Sequence, residues 1–229
     1  MNPFYEMTKF FQDKDYNILV FDIETIPDQQ LVNKFYTQEE IEERDDPYKI
    51  SLGMHKIVAV SYCSVQFKQG QFIINEPQVH VNLEDERDIL LHMYDVFKNF
   101  NKFVTFNGSA YDIPVIEKRC LIHGLQTSNN SNQKTNLREL YRIMQQLKTN
   151  RDNKKHLDLF KVFDLKWQKG GLSFLLHFIG LEKYESMRGS DIINLVNEND
   201  IQKIEAYAKN DAFIEAKLFV ALTDFLRSN

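Results

Sequence analysis

The nine residues Asn17-Ile-Leu-Val-Phe-Asp-Ile-Glu-Thr25 restrict the fold of this chain more than any other stretch. An apolar, partly β-branched run with no glycine or proline inside it suits a buried strand. On a strand, residues spaced i,i+2 point to one face, so Asp22 and Glu24 converge where the apolar run ends. Two carboxylates held together repel unless one is protonated or a cation lies between them, and a divalent metal ion is the natural guest. The competing reading of an isolated D-x-E is two acids on the solvent side of a half-buried strand.

A chain of 229 residues can build one well-developed core, and a single domain over residues 1–229 is expected. Its 43% hydrophobic and 27% charged residues exclude a disordered chain, and no long uncharged apolar run suggests a membrane partner. The N-terminal residues carry charges and aromatics rather than a basic region followed by an apolar segment, so the sequence predicts a cytoplasmic address. Cys63 and Cys120 lie far apart and outside any C-x-x-C pattern, as expected of reduced, buried thiols. The net charge of −5 argues against a protein that coats nucleic acid. Residues 134–169 nevertheless hold ten Lys/Arg against four Asp/Glu, a stretch that either meets a polyanion or forms a solvated helix face.

Strands are expected over residues 16–21, 56–67 and 72–82, the last interrupted by Pro77 or placed by it at a sheet edge. Thr37 and Glu40 have the form of a capping box and predict a short surface helix. Apolar residues at Ile89, Leu90, Met93, Val96, Phe97 and Phe100 predict an amphipathic helix over 84–100, followed by a strand at 102–106. The turn Asn107-Gly-Ser-Ala-Tyr-Asp112 leads into a helix over 113–123 with Pro114 in its first turn. Residues 126–136 read as a polar, mobile loop, residues 137–147 as a helix, and 156–163 as a short strand or extended turn. Helices are expected at 172–179, 191–197 and 200–227. This order predicts an α/β fold, a central mixed sheet covered by helices.

Near the C-terminus, Tyr207 and Asp211 stand i,i+4 on a helix and so share one face. An isolated Y-x-x-x-D has an ordinary explanation, a tyrosine on the core margin beside an exposed acid. The ordered set of a strand ending in D-x-E, an N-x-x-x-Y-D turn and a late Y-x-x-x-D helix is far more specific. It resembles the DEDD superfamily of 3′→5′ exonucleases on the RNase H-like fold, and the tyrosine marks the DEDDy branch; Ala206 stands where the related branch has histidine. The likeness is closest to the exonuclease domain of family B DNA polymerases, in a stand-alone form, and the segments Lys56-Ile-Val-Ala-Val-Ser61 and His156-Leu-Asp-Leu159 are similar to parts of it.

The resemblance implies that Asp22, Glu24, Asp112 and Asp211 hold two divalent ions, Mg²⁺ or Mn²⁺, and that Tyr207 orients the attacking water. Four carboxylates supply hard oxygen ligands and enough charge for two such ions. Two ions can stabilise the entering and leaving oxygens of an in-line displacement. A phenol with an ordinary pKa near 10 is a positioner rather than a base at neutral pH. Asn107 matches a position that touches the terminal nucleotide, and Thr25 could line the same pocket, although Asn before Gly is also a plain turn signature. Trp167, Phe106 and Tyr111 are candidates for stacking on bases. His156 is either a structural histidine or a phosphate-side contact beside Arg151, Lys154 and Lys155. The expected substrate is single-stranded DNA, with RNA as an alternative because the same chemistry cleaves either backbone. A catalytically silent RNase H-like module that binds nucleic acid or protein is the alternative from another class.

Overall fold

The computed structural model describes residues 3–11, 16–43, 49–126, 131–149, 154–163, 171–180 and 189–227. In chain order these form α1 (Pro3–Phe10), β1 (Ile18–Pro27), α2 (Gln29–Phe35), α3 (Gln38–Glu42), β2 (His55–Lys68), β3 (Gln71–Ile74) and β4 (Gln78–Val81). They continue with α4 (Glu86–Phe97), β5 (Lys102–Thr105), α5 (Asp112–Gln126), α6 (Ser131–Thr149), β6 (His156–Asp158), α7 (Leu159–Val162), α8 (Gly171–Phe178), α9 (Ile192–Asn197) and α10 (Ile201–Arg227). Short 3₁₀ turns at Leu52–Met54 and Gly189–Asp191 precede β2 and α9.

The sheet is mixed. β1 lies at its centre, antiparallel to the long β2 and parallel to β5, which is parallel to β6. β3 and β4 pair with successive halves of β2, so Pro77 divides one expected strand into two short ones on the same neighbour. Because β1 is covered on both faces, its apolar residues sort by parity. Leu19, Phe21 and Ile23 pack with residues of α4, α5 and α6, including Ile89, Met93, Ile116 and Leu140. Ile18 and Val20 pack on the other face with Cys63, Val65, Ala212, Ala216 and Phe219. Both cysteines are reduced and buried. The RNase H-like α/β expectation is the architecture observed.

Three helices carry no warning in the sequence reading: α1, α2 and the single-turn α7, which follows β6 within the stretch read as a short strand or extended turn. α1 buries Met7 and Phe10 against the second face, and Lys102, itself 2% exposed, donates its ammonium to the Phe10 carbonyl at 2.6 Å and to that of Lys154 at 2.8 Å. α2 starts at Asp28, whose carboxylate accepts from the Leu31 amide. The capping box at Thr37 and Glu40 forms as expected. One expectation fails: the polar loop over 126–136 is helical from Ser131, the first turns of α6, while 127–130 lie outside the described residues. Exposed helical turns need no apolar residues, and α6 is anchored further on, by Leu137, Leu140, Met144 and Leu147 in the core.

Candidate active site

β5 pairs with β1 only as far as Val20, so the second half of β1, starting with Asp22, projects past the end of its parallel neighbour. This crevice beyond the carboxyl ends of parallel strands is where open α/β sheets accept ligands. The β1–β2 register shifts between Glu24 and Thr25, leaving Val58 as an extra residue on β2. Bulges of this kind re-aim side chains beside functional sites. Glu24 and Asp211 are 5% and 6% exposed, and one oxygen each of Asp22, Glu24 and Asp211 lie within 4.8 Å of one another.

Asp112 opens α5 and is equally buried; its Oδ1 accepts from the Ile23 amide at 3.2 Å, which ties the helix start to the strand between the other two acids. Its side chain also hydrogen-bonds Asp22. Burial, and then the charges of Asp112, Glu215, Glu24 and Asp211, hold the Asp22 carboxyl well above its ordinary range. Burial pushes Asp112 up to about 6 against the lowering effect of its hydrogen bonds. Carboxyls so disfavoured as anions are the donor set a hard divalent cation relieves. The residues present therefore fit the metal ions that the resemblance implies.

Tyr207 packs with Val58, Ala59, Ile192 and Ile204, and its hydroxyl hydrogen-bonds Asp211 one turn along α10. Burial and the charges of Glu24 and Asp211 raise the phenol above its ordinary value, so it stays protonated. The N-x-x-x-Y-D turn is pinned from below. Asn107 takes a left-handed conformation at φ 65°, and Gly108 lies so close to Thr105 that a Cβ there would meet the threonine Cβ at 2.6 Å. The Asp158 carboxylate accepts from the amides of Asn107 at 2.8 Å and Ser109 at 3.1 Å, and also caps α7 through Phe160 at 3.1 Å. Thr25 and Tyr111 share a 2.6 Å hydrogen bond between hydroxyls, and Tyr111 is held at 2.9 Å by Nδ1 of His55. Asp22, Glu24, Thr25, Phe106, Asn107, Tyr111, Asp112, Gly189 and Tyr207 line a cavity of about 340 Å³. The four carboxylates, Tyr207, Thr25 and Asn107 thus lie at one cavity or, for Asp211, against its carboxylates.

His156 is not a phosphate contact. It is buried, its Nε2 meets Thr105 Oγ1 at 2.8 Å, and burial pushes it down to about 4, so it is neutral at physiological pH. The basic stretch also disperses. Lys155 precedes β6 and its carbonyl accepts from Phe103, at the end of the sheet away from the carboxylates, while Lys148 pairs with Glu117 at 2.9 Å. Trp167 and Arg151 lie outside the described residues. The residue that sequence reasoning missed is Glu215, 3% exposed and close enough to act on Asp22. Its signal was present: Tyr207, Asp211 and Glu215 continue one i,i+4 series.

A family of predicted 3′-5′ exonucleases related to the exonuclease domain of PolB matches residues 48–223. The structure is similar to that of the family B DNA polymerase from the hyperthermophilic archaeon Pyrobaculum calidifontis, with a TM-score of 0.57 and 14% identity over 92% of this chain. The chain spans 25% of that polymerase, so the likeness concerns the fold. No curated protein matches. The family match contains Asp112, Tyr207 and Asp211, and β1 brings Asp22 and Glu24 to them from outside the matched residues. By that match the chain belongs to the family of predicted 3′-5′ exonucleases related to the exonuclease domain of PolB.

Proposed function

We propose that this chain removes nucleotides from the 3′ end of single-stranded DNA by hydrolysis, with Asp22, Glu24, Asp112 and Asp211 holding two Mg²⁺ or Mn²⁺ ions. The convergence of Asp22, Glu24 and Asp211 oxygens within 4.8 Å beside a cavity carries the reading. The ions, when bound, supply Lewis-acid charge for the entering and leaving oxygens of an in-line displacement. The protein's own groups hold the geometry. Tyr207, protonated, keeps Asp211 in place through its hydrogen bond and presents a hydroxyl oxygen that can accept from the attacking water. Asp112 joins the cluster while fastened to the Ile23 amide.

Phe106 and Tyr111 offer aromatic faces along the cavity, and stacking a base on such a ring contributes about 1–3 kcal/mol without regard to sequence. Asn107, locked by Asp158, and Thr25, locked by Tyr111, provide polar groups for the terminal nucleotide. The test is digestion of 5′-labelled single-stranded DNA and RNA of one sequence with Mg²⁺, with Mn²⁺ and with chelator, beside an Asp22→Ala/Glu24→Ala control. A metal-dependent ladder shortening from the 3′ end, faster on DNA and absent in the control, is expected. Faster digestion of RNA would make the chain an exoribonuclease, and no digestion of either polymer would refute the catalytic reading.

A further inference from the structure

A buried ion pair outside the carboxylate cluster organises the start of β2. Arg119 of α5 and Glu86 of α4 are each 3% exposed. The guanidinium Nε lies 2.8 Å from Oε1 and 2.9 Å from Oε2, and Nη2 also bonds Oε2. Asp28 adds a second carboxylate 3.0 Å from Nη1. All three residues also bond the backbone around His55, the first residue of β2. Arg119 Nη1 donates to the Gly53 carbonyl at 3.3 Å, the Asp28 amide donates to the Met54 carbonyl at 2.7 Å, and Glu86 Oε1 accepts from the Ile57 amide at 2.7 Å. The chain is thus pinned on both sides of His55. The histidine, 1% exposed, carries this anchorage toward the cavity. Its Nδ1 meets the Tyr111 hydroxyl at 2.9 Å, and the two rings stand nearly perpendicular with centroids 5.4 Å apart. The same hydroxyl meets Thr25 Oγ1 at 2.6 Å. A phenol can donate to one neighbour while accepting from another, so both contacts hold at once. Tyr111 and Thr25 line the cavity and His55 does not.

We propose that His55 is a positioning residue for the substrate, holding Tyr111 as a preset platform for the base of the terminal nucleotide while the Arg119–Glu86 pair holds His55. This rests on the nucleotide-removing reading given above. A tyrosine side chain turns about two bonds, and a ring left to turn must be ordered when a base stacks on it. Here the ring is fixed at both ends: its Cα belongs to the turn before Asp112, and its hydroxyl sits between His55 and Thr25. Tyr111 is only half-buried, so the ring still presents surface at the cavity it lines. Buried ion pairs roughly break even against apolar residues of the same volume. What this one contributes is the placement of the backbone on either side of His55.

The experiment measures kcat/KM with Mg²⁺ for release of the terminal nucleotide by wild type, His55→Leu, Tyr111→Phe and the double variant, with thermal unfolding of each. Two single-stranded DNA substrates are compared, one ending in an ordinary nucleotide and one ending in a nucleotide that lacks its base. On the ordinary end each single variant should lose about 10-fold, and the double variant no more than either alone, because His55 acts through the Tyr111 hydroxyl. On the end without a base, where nothing can stack, all four proteins should cleave at one rate. Wild-type kcat/KM in His55→Leu would overturn the assignment. Losses that add in the double variant, or that are equal on both ends, would overturn it too, since they mark a lesion of the fold. Wild type inactive on both ends would overturn the exonuclease reading itself. Should His55→Leu fail to fold, His55→Gln decides, because its polar end stands further from the backbone than Nδ1: a loss confined to the ordinary end supports the role, and wild-type rates or equal losses on both ends overturn it.

Discussion

Asp158 does not itself line the cavity, yet its removal should disable the site. Its carboxylate collects three backbone amides: Oδ1 accepts from Asn107 and Phe160, and Oδ2 accepts from Ser109. A hydrogen bond to a charged acceptor contributes roughly 1.5–3 kcal/mol net, and a lost helix cap about 1 kcal/mol. Three bonds sharing one carboxylate are not additive, so Asp158→Ala should cost about 3–5 kcal/mol of unfolding free energy. Asp158→Asn discriminates the mechanism. Its oxygen can replace Oδ1 and retain the Asn107 and Phe160 bonds, but its amide faces the Ser109 N–H, donor against donor, so the loss should be about 1–3 kcal/mol. Urea unfolding measures both, and nuclease assays on the folded variants should show Asp158→Ala losing turnover because the left-handed turn at Asn107 is no longer held. Equal stability losses for the two variants, or an alanine variant within 1 kcal/mol of wild type, would refute the claim that this carboxylate organises the turn.

Tyr207→Phe should leave the fold intact and lower turnover about 10²-fold through misplacement of Asp211 and the water, and the wild-type pH–rate profile should show no ionisation of this phenol below pH 10; full activity in the variant would remove Tyr207 from the site. Asp112, raised by burial to about 6, binds its proton more tightly in the folded than in the unfolded chain, so its contribution to stability falls as pH rises from about 4 through 6. In chelator, wild type should therefore lose roughly 1–3 kcal/mol relative to Asp112→Asn between pH 4 and pH 8, and Mg²⁺ or Mn²⁺ should reduce that loss; a pH-independent difference would contradict the buried-carboxyl picture. His156 has the opposite sign. Lowered to about 4, it is neutral when folded, so its contribution is complete above the unfolded value near 6.5 and is lost as pH falls toward 4. The advantage of wild type over His156→Gln, measured by urea unfolding, should shrink by up to about 3 kcal/mol from pH 7 to pH 4, and a constant advantage would mean that the imidazole is not buried neutral.

Much of this molecule was legible from local spacing. The D-x-E at Asp22 and Glu24, the turn before Asp112 and the i,i+4 pair Tyr207 and Asp211 each declare a side-chain direction once strand or helix is assigned, because those directions follow from backbone period alone. The capping box at Thr37 and the amphipathic α4 are likewise interactions within a few residues. α6 was misread at its start because exposed turns carry no apolar signal. α1 was missed because its partners are remote, with Lys102 reaching its last carbonyl from 92 residues away. The bulge after Glu24, the Asp158 clamp on Asn107 and Ser109, the neutral His156 and the buried Glu215 belong to the same class. Which carboxylates meet at one cavity, and which of them are held above their ordinary range, depends on the desolvation and charge that distant segments impose on one another. Spacing fixes where a side chain points; only the packing of β1, β2, α5 and α10 decides what it meets there and whether its charged form survives.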